Sequence, residues 1–314
     1  MQESYSNEPK KAINFLSDFS QKDNVWDTKK STAEIVKARY AEERDFVYTA
    51  WRMGDCGKSL GFSESISTDT GDIRYKLLTA KFCHIRFCPI CQWRRTMRNK
   101  RKFLTALPKL LNGYPTHRFL FLTLTVPNCH VIDLKTTISE MNKGWQRLIK
   151  RKIFKKVDGW VRSTEVTFST CPAGDSHPHF HCMLMVKPSY FTRGYIKHIK
   201  WLGEWQECMR DWTITQVNIK AIKGEGGLKE VLKYSVKEDD LIKSTPEWLF
   251  EMTRQTRKLR FLATGGLLKE MLKTGEMTDQ EMIAGEESED KTEESLTLVA
   301  TWTPSQNRYR ADRV

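Results

Sequence analysis

The clearest pattern in the chain is the two-residue alternation of 118–126. Leu120, Leu122, Leu124 and Val126 fall on one side, and Phe119, Phe121, Thr123 and Thr125 on the other. Successive strand side chains point to opposite faces, so this period predicts a β-strand, closed by Pro127-Asn128. Residues 160–169 and 179–186 predict two further strands. The loop between them holds Pro172, Gly174 and Asp175, so the pair reads as a hairpin. Pro178 stands at the start of the second strand, where a missing N–H is tolerated. Residues 213–222 alternate as well. Helical spacing of apolar residues predicts helices over 31–53, through 103–111, and over 133–156, 193–212 and 228–237. Ser31 with Glu34 reads as a capping box opening the first. Residues 1–30, polar and mixed in charge, predict a loose arm, and the acidic 286–294 an exposed stretch.

Charge narrows the partner. Lys and Arg number 52 against 39 Asp and Glu, a formal +13 in 314 residues. An anionic polymer is the natural counterpart of such a chain. The basic residues also cluster: 94–102 run directly into the 103–111 helix, and 150–156 make a second group. Arg94, Arg95, Arg98, Arg101 and Lys102 are the candidate contacts to a DNA backbone. No run of about 18 apolar residues exists to span a membrane. Residues 1–11 lack an apolar signal core, so the expected location is the cytoplasm. Length alone favours roughly two domains.

In that compartment the eight cysteines read as metal ligands or buried thiols. Cys83, Cys88 and Cys91 follow Cys-x4-Cys-Pro-x-Cys spacing, and Cys56 supplies a fourth thiolate after a long loop. Four thiolates at such spacing predict a closed, structural zinc site with no position open to substrate. His84 adjoins Cys83, which makes chelation of the same ion awkward. A second donor set centres on His177-Pro178-His179-Phe180-His181. On a strand, His179 and His181 share one face, and two imidazoles from one stiff segment grip a divalent metal. Glu165 lies mid-strand among β-formers, where a carboxylate is costly unless paired or metal-bound, so it is the candidate third ligand. Glu230, Tyr234 and Lys237, spaced four and three, share a face of the 228–237 helix as base, nucleophile and cationic clamp.

Four stretches in this order resemble the plasmid rolling-circle replication initiators of the staphylococcal chloramphenicol-resistance plasmid type. They are Cys83-x4-Cys88-Pro-x-Cys91-x-Trp-Arg, the strand from Phe121 to Asn128, His177-Pro-His-Phe-His181, and Glu230-x3-Tyr234-x2-Lys237. The resemblance runs from about Cys56 to about Leu268 and implies an α+β fold. It implies an HUH endonuclease domain with a central antiparallel sheet flanked by helices, and an N-terminal zinc-binding segment. The expected division is an arm and helix over 1–53, a zinc segment with basic helix over 54–112, the endonuclease core over 113–245, and a C-terminal helical region with acidic tail over 246–314. The implied activity is nicking and joining of single-stranded origin DNA through a 5′-phosphotyrosine on Tyr234. A divalent ion on His179, His181 and Glu165 assists, Mn²⁺ suiting two imidazoles better than Mg²⁺. Lys237 stabilises the phenolate or phosphate, and Glu230 serves as the base of the closing step. Host helicase and DNA polymerase are the further partners implied. A mobilisation relaxase or transposase of the same chemistry, or a non-catalytic zinc DNA-binding regulator, are the alternatives.

Overall fold

A computed structural model describes residues 14–66, 73–172, 174–222, 236–272, 275–284 and 295–314. The strand pattern reappears as an antiparallel sheet. Its members are β3 (Arg118–Thr125), β4 (Val157–Phe168), β5 (Ser176–Val186), β6 (Val217–Ala221) and β7 (Leu262–Gly266), in the order β6-β3-β5-β4-β7. The alternation does what it predicted. Leu120, Leu122 and Leu124 of β3 join Phe180, Cys182 and Leu184 of β5 on one face. There they pack against α5 (Leu134–Leu148) and α6 (His198–Met209) through Met141, Trp145, Trp201 and Trp205. Arg162 of β4 is wedged into this layer, its guanidinium 4.1 Å from the ring centre of Phe180 and 2.7 Å from Asn142 Oδ1.

The opposite face carries Phe119, Phe121, Met183 and Met185, and its lower part is covered by Phe103 and Leu107 of α4 (Pro89–Gly113) and by Leu268, Met271 and Leu272. The 103–111 helix is therefore the second half of one 25-residue element that begins among the cysteines.

Around the cysteines the fold departs from expectation. The long loop foreseen between Cys56 and Cys83 is a hairpin of β1 (Ser59–Ile66) and β2 (Ile73–Ala80). The C-terminal region, expected to be helical with an acidic tail, ends in β8 (Leu298–Thr303) and β9 (Arg308–Arg313), and β8 pairs with β1. The second sheet runs β2-β1-β8-β9. Two pairings thus cross the expected divisions, β8 with β1 and β7 with β4.

Helix bounds shift where the apolar period continues across a break. The 31–53 helix is two, α2 (Val25–Ala41) and α3 (Val47–Asp55), separated by a 3₁₀ turn at Arg44–Phe46. Tyr40 and Phe46 enter one core from both sides of the turn, which preserves the spacing. Ser31 lies inside α2 rather than at its cap, because the 3₁₀ turn Gln21–Asn24 leads straight into Val25 and buried Trp26 anchors the first turn. Likewise α5 stops at Leu148, and a 3₁₀ segment takes over at Lys152–Lys156. Short helices α1 (Leu16–Phe19), α7 (Glu238–Lys243), α8 (Pro246–Gln255) and α9 (Asp279–Ile283) complete the described chain. Glu230 and Tyr234 lie outside the described residues. Lys237 does not continue a helix from them: its backbone is extended and caps α7.

Candidate active site

Strand register builds the first donor set. In the β4–β5 hairpin Glu165 stands directly opposite His179, and Ser163 opposite His181. Paired residues on an antiparallel ladder point to the same face, so Glu165, His179 and His181 converge without help from a loop. His181 Nε2 lies 2.8 Å from Glu165 Oε2 and 3.1 Å from His179 Nε2, and His179 Nε2 lies 3.5 Å from the same carboxylate oxygen.

The outward nitrogens are already engaged. His179 Nδ1 is 3.2 Å from the His177 carbonyl and His181 Nδ1 is 3.3 Å from Thr123 Oγ1. A proton on Nδ1 would leave the Nε2 lone pair to a metal, whereas a proton on Nε2 donates to Glu165 Oε2. Burial alone would raise the Glu165 carboxyl pKa, but hydrogen bonds from His179 and His181 outweigh it and hold the group well below the usual carboxylate range. Among the described residues its buried Oε1 has no hydrogen-bond donor, and Lys237 Nζ is 3.5 Å away. Glu165 Oε2 and the two Nε2 atoms, converging on one point, make a donor set that fits a divalent cation of borderline softness.

The structure thus brings Lys237 to the Glu165 side of this set. It also brings Asp240 near, which sequence spacing did not single out. Burial raises the Asp240 carboxyl pKa, against the pull of Lys237. Behind the set, His177 Nδ1 meets Asn128 Oδ1 at 2.9 Å, tying the Pro127-Asn128 turn to the histidine strand.

The four cysteines form a second, fully protein-enclosed set. Cys56 and Cys83 sulfurs each lie 3.6 Å from Cys91 Sγ, and Cys88 lies 3.7 Å from Cys56. Tetrahedral zinc at about 2.3 Å from each sulfur requires edges of about 3.8 Å, whereas a disulfide requires about 2.05 Å. The sulfurs fit the ion. Burial pushes the Cys56 and Cys88 thiols up; at Cys91 burial acts the same way, but hydrogen bonds from the other three thiols and the charge of Arg95 pull it well below the ordinary value. His84 turns away, with a left-handed backbone and Nε2 2.6 Å from Asp279. Lys30, fully buried, donates to the carbonyls of Gly54 and Cys56 at 2.8 and 3.0 Å and so clamps the turn that presents Cys56. Nothing in the spacing of the α2 residues marks Lys30 for this task.

The basic run on α4 divides. Arg94 is not available to a phosphate: it is buried, donates to the carbonyls of Met282 and Ile283 at 2.8 Å, and stacks near Trp26 and Trp93. Its place in the first turns of α4 points it into the core shared with α9. Arg95 donates to His84 O and Arg101 to Ala284 O, each keeping part of its fork. Arg98 and Lys102 are half-buried.

Fold and donor sets together define an α+β protein with one all-thiolate centre and one mixed nitrogen–oxygen centre on a sheet face. The chain belongs to the replication protein family, whose profile matches residues 74–310. It is 31% identical to Protein rep of Streptococcus pneumoniae serotype 2 over 82% of each chain. It is 29% identical to Protein rep of Bacillus amyloliquefaciens over 90% of this chain and 93% of the relative. To Protein rep of Staphylococcus aureus it is 34% identical over 60% of this chain and 82% of that one. No solved structure matches it. Among the described residues no helix is long and apolar enough to cross a membrane.

Proposed function

We propose that the chain is a plasmid replication initiator that nicks one strand of its origin DNA as an HUH endonuclease. The observation that carries the reading is the convergence of His179 Nε2, His181 Nε2 and Glu165 Oε2 on one point of a sheet face, with Lys237 beside them, in a chain of the replication protein family. Such a point suits a scissile phosphate, because it combines cation-binding lone pairs with an exposed ammonium. A divalent ion held by these three residues, Mn²⁺ or Mg²⁺, would polarise the phosphate and offset charge growing in the transition state.

Tyr234, three residues before Lys237 in sequence, is the proposed nucleophile. Its oxygen attacks phosphorus in line, the bond to the 3′-oxygen breaks, and the strand stays on the tyrosine by its 5′ end. The released 3′-hydroxyl primes synthesis by host helicase and polymerase. Lys237 lowers the cost of the developing oxyanion. Glu230 takes the proton of the second nucleophile in the closing cut. The zinc site holds α4, whose Arg95, Arg98, Arg101 and Lys102 supply the duplex backbone contacts; Arg94 is excluded from that role by its burial.

The test is incubation with supercoiled plasmid carrying the cognate origin and Mn²⁺. Wild type should yield nicked circles with protein on the 5′ end, and Tyr234→Phe should bind the plasmid without forming the adduct. Absence of adduct from the wild type would leave a zinc DNA-binding regulator as the better reading. An adduct whose 3′ end is never extended in a replicating extract would favour a relaxase or transposase.

A further inference from the structure

Register also shows what lies beside the donor set. Thr123 of β3 pairs with His181 on one side and with Asn218 of edge strand β6 on the other. Phe121, one step below, pairs with Met183 and with Lys220. Asn218 and Lys220 therefore share the face of His179, His181 and Glu165, and Asn218 is two strand spacings, about 10 Å, from His181. Both are exposed, and Thr123 and Thr125 between them and the histidines are half-buried. The Lys220 ammonium lies 5.2 Å from the centre of the Phe121 ring, and that ring is 5.2 Å from the His181 ring. Among the described residues no carboxylate forms an ion pair with Lys220, and Lys237 stands on the other flank, against Glu165.

We infer that Asn218 and Lys220 seat the nucleotide next to the scissile phosphate. A single strand laid across the sheet meets Lys237, the donor set and then Lys220, with cations on both sides of the reacting centre. Lys220 neutralises the neighbouring phosphate. Asn218, with an amide donor and acceptor facing solvent, holds the base edge. The seat rests on the proposed function for its ligand, single-stranded DNA, but not on the nicking chemistry.

The experiment is fluorescence anisotropy with a 12-residue oligothymidylate in buffer without added Mn²⁺ or Mg²⁺ and without chelator, over a series of salt concentrations. Lys220→Gln should weaken binding several-fold and flatten the slope of log affinity against log salt by about 0.7, the value of one phosphate on a single strand. Lys220→Arg should restore both. Asn218→Ala should weaken binding with the slope unchanged, because the amide carries no charge. A wild-type slope in Lys220→Gln, no rescue by Lys220→Arg, or wild-type affinity in Asn218→Ala overturns the inference. Because binding is read without Mn²⁺ or Mg²⁺, a chain that never nicks but shows these changes sinks only the proposed reaction. One that nicks normally and lacks them sinks only the seat.

Discussion

Single residues decide whether each centre works, and two make separable predictions. Glu165 contributes one oxygen shared with both imidazoles and another facing Lys237. Glu165→Gln keeps the volume but removes the charge. Calorimetric titration should then show Mn²⁺ binding weakened by at least about tenfold, the lower end of what even outer-shell metal partners cost. Unchanged Mn²⁺ affinity would place the third ligand elsewhere. At the thiolate centre, Lys30 is the more informative target than any cysteine. Lys30→Met fills the space but strips the buried Cys56 carbonyl and the half-buried Gly54 carbonyl of their donor. Each stranded group costs about 1–3 kcal/mol, so urea denaturation should show a loss of roughly 2 kcal/mol or more. A change below half that would mean water replaces the ammonium.

Among the elements, α4 couples the two centres. Its cap is Cys88, its first turn holds Cys91, and about three turns later Phe103 is buried against the sheet face that bears the histidines. A continuous helix fixes this distance at 1.5 Å per residue. Phe103→Ala should cost about 3–5 kcal/mol by opening a cavity under that face, read as a lowered thermal midpoint. Wild-type stability would show that α4 rests on the sheet without anchoring there. The β4–β5 hairpin is the other decisive element, since one residue of slip would send His179 and His181 into the layer of Trp145 and Trp205.

For the whole molecule, the chain's end returns to its beginning. Ala300, Trp302, Tyr309 and Ala311 of β8 and β9 are buried in the core that also holds all four cysteines. The Tyr309 hydroxyl donates to the Gly57 carbonyl, one residue past Cys56, and Gly57 adopts a left-handed φ of 60° with side chains already crowding it. Removal of residues 296–314 should therefore lower zinc content, from about one ion per chain by elemental analysis toward none, although no ligand is deleted. Retention of one zinc per chain in the truncated protein would show that the cysteines assemble without the second sheet. The family match begins at residue 74 and so leaves out Cys56, which only the folded chain returns to the other three ligands.

Sequence by itself determined the local and periodic features. The alternation of 118–126, the spacing of three cysteines and the His-x-His strand are set by neighbours in the chain, and strand geometry translates them directly into faces. Glu165 could be proposed because a carboxylate among β-formers needs a partner, but only hairpin register placed it opposite His179. Burial of Arg94, the clamp by Lys30 and the pairing of β8 with β1 were settled by tertiary structure alone. Each depends on contacts between residues 24 or more positions apart, 188 for Arg94 with Met282, and no local period carries such information. A basic residue reads the same in sequence whether its charge meets solvent or a buried carbonyl; the packing of α9 on α4 made that choice for Arg94.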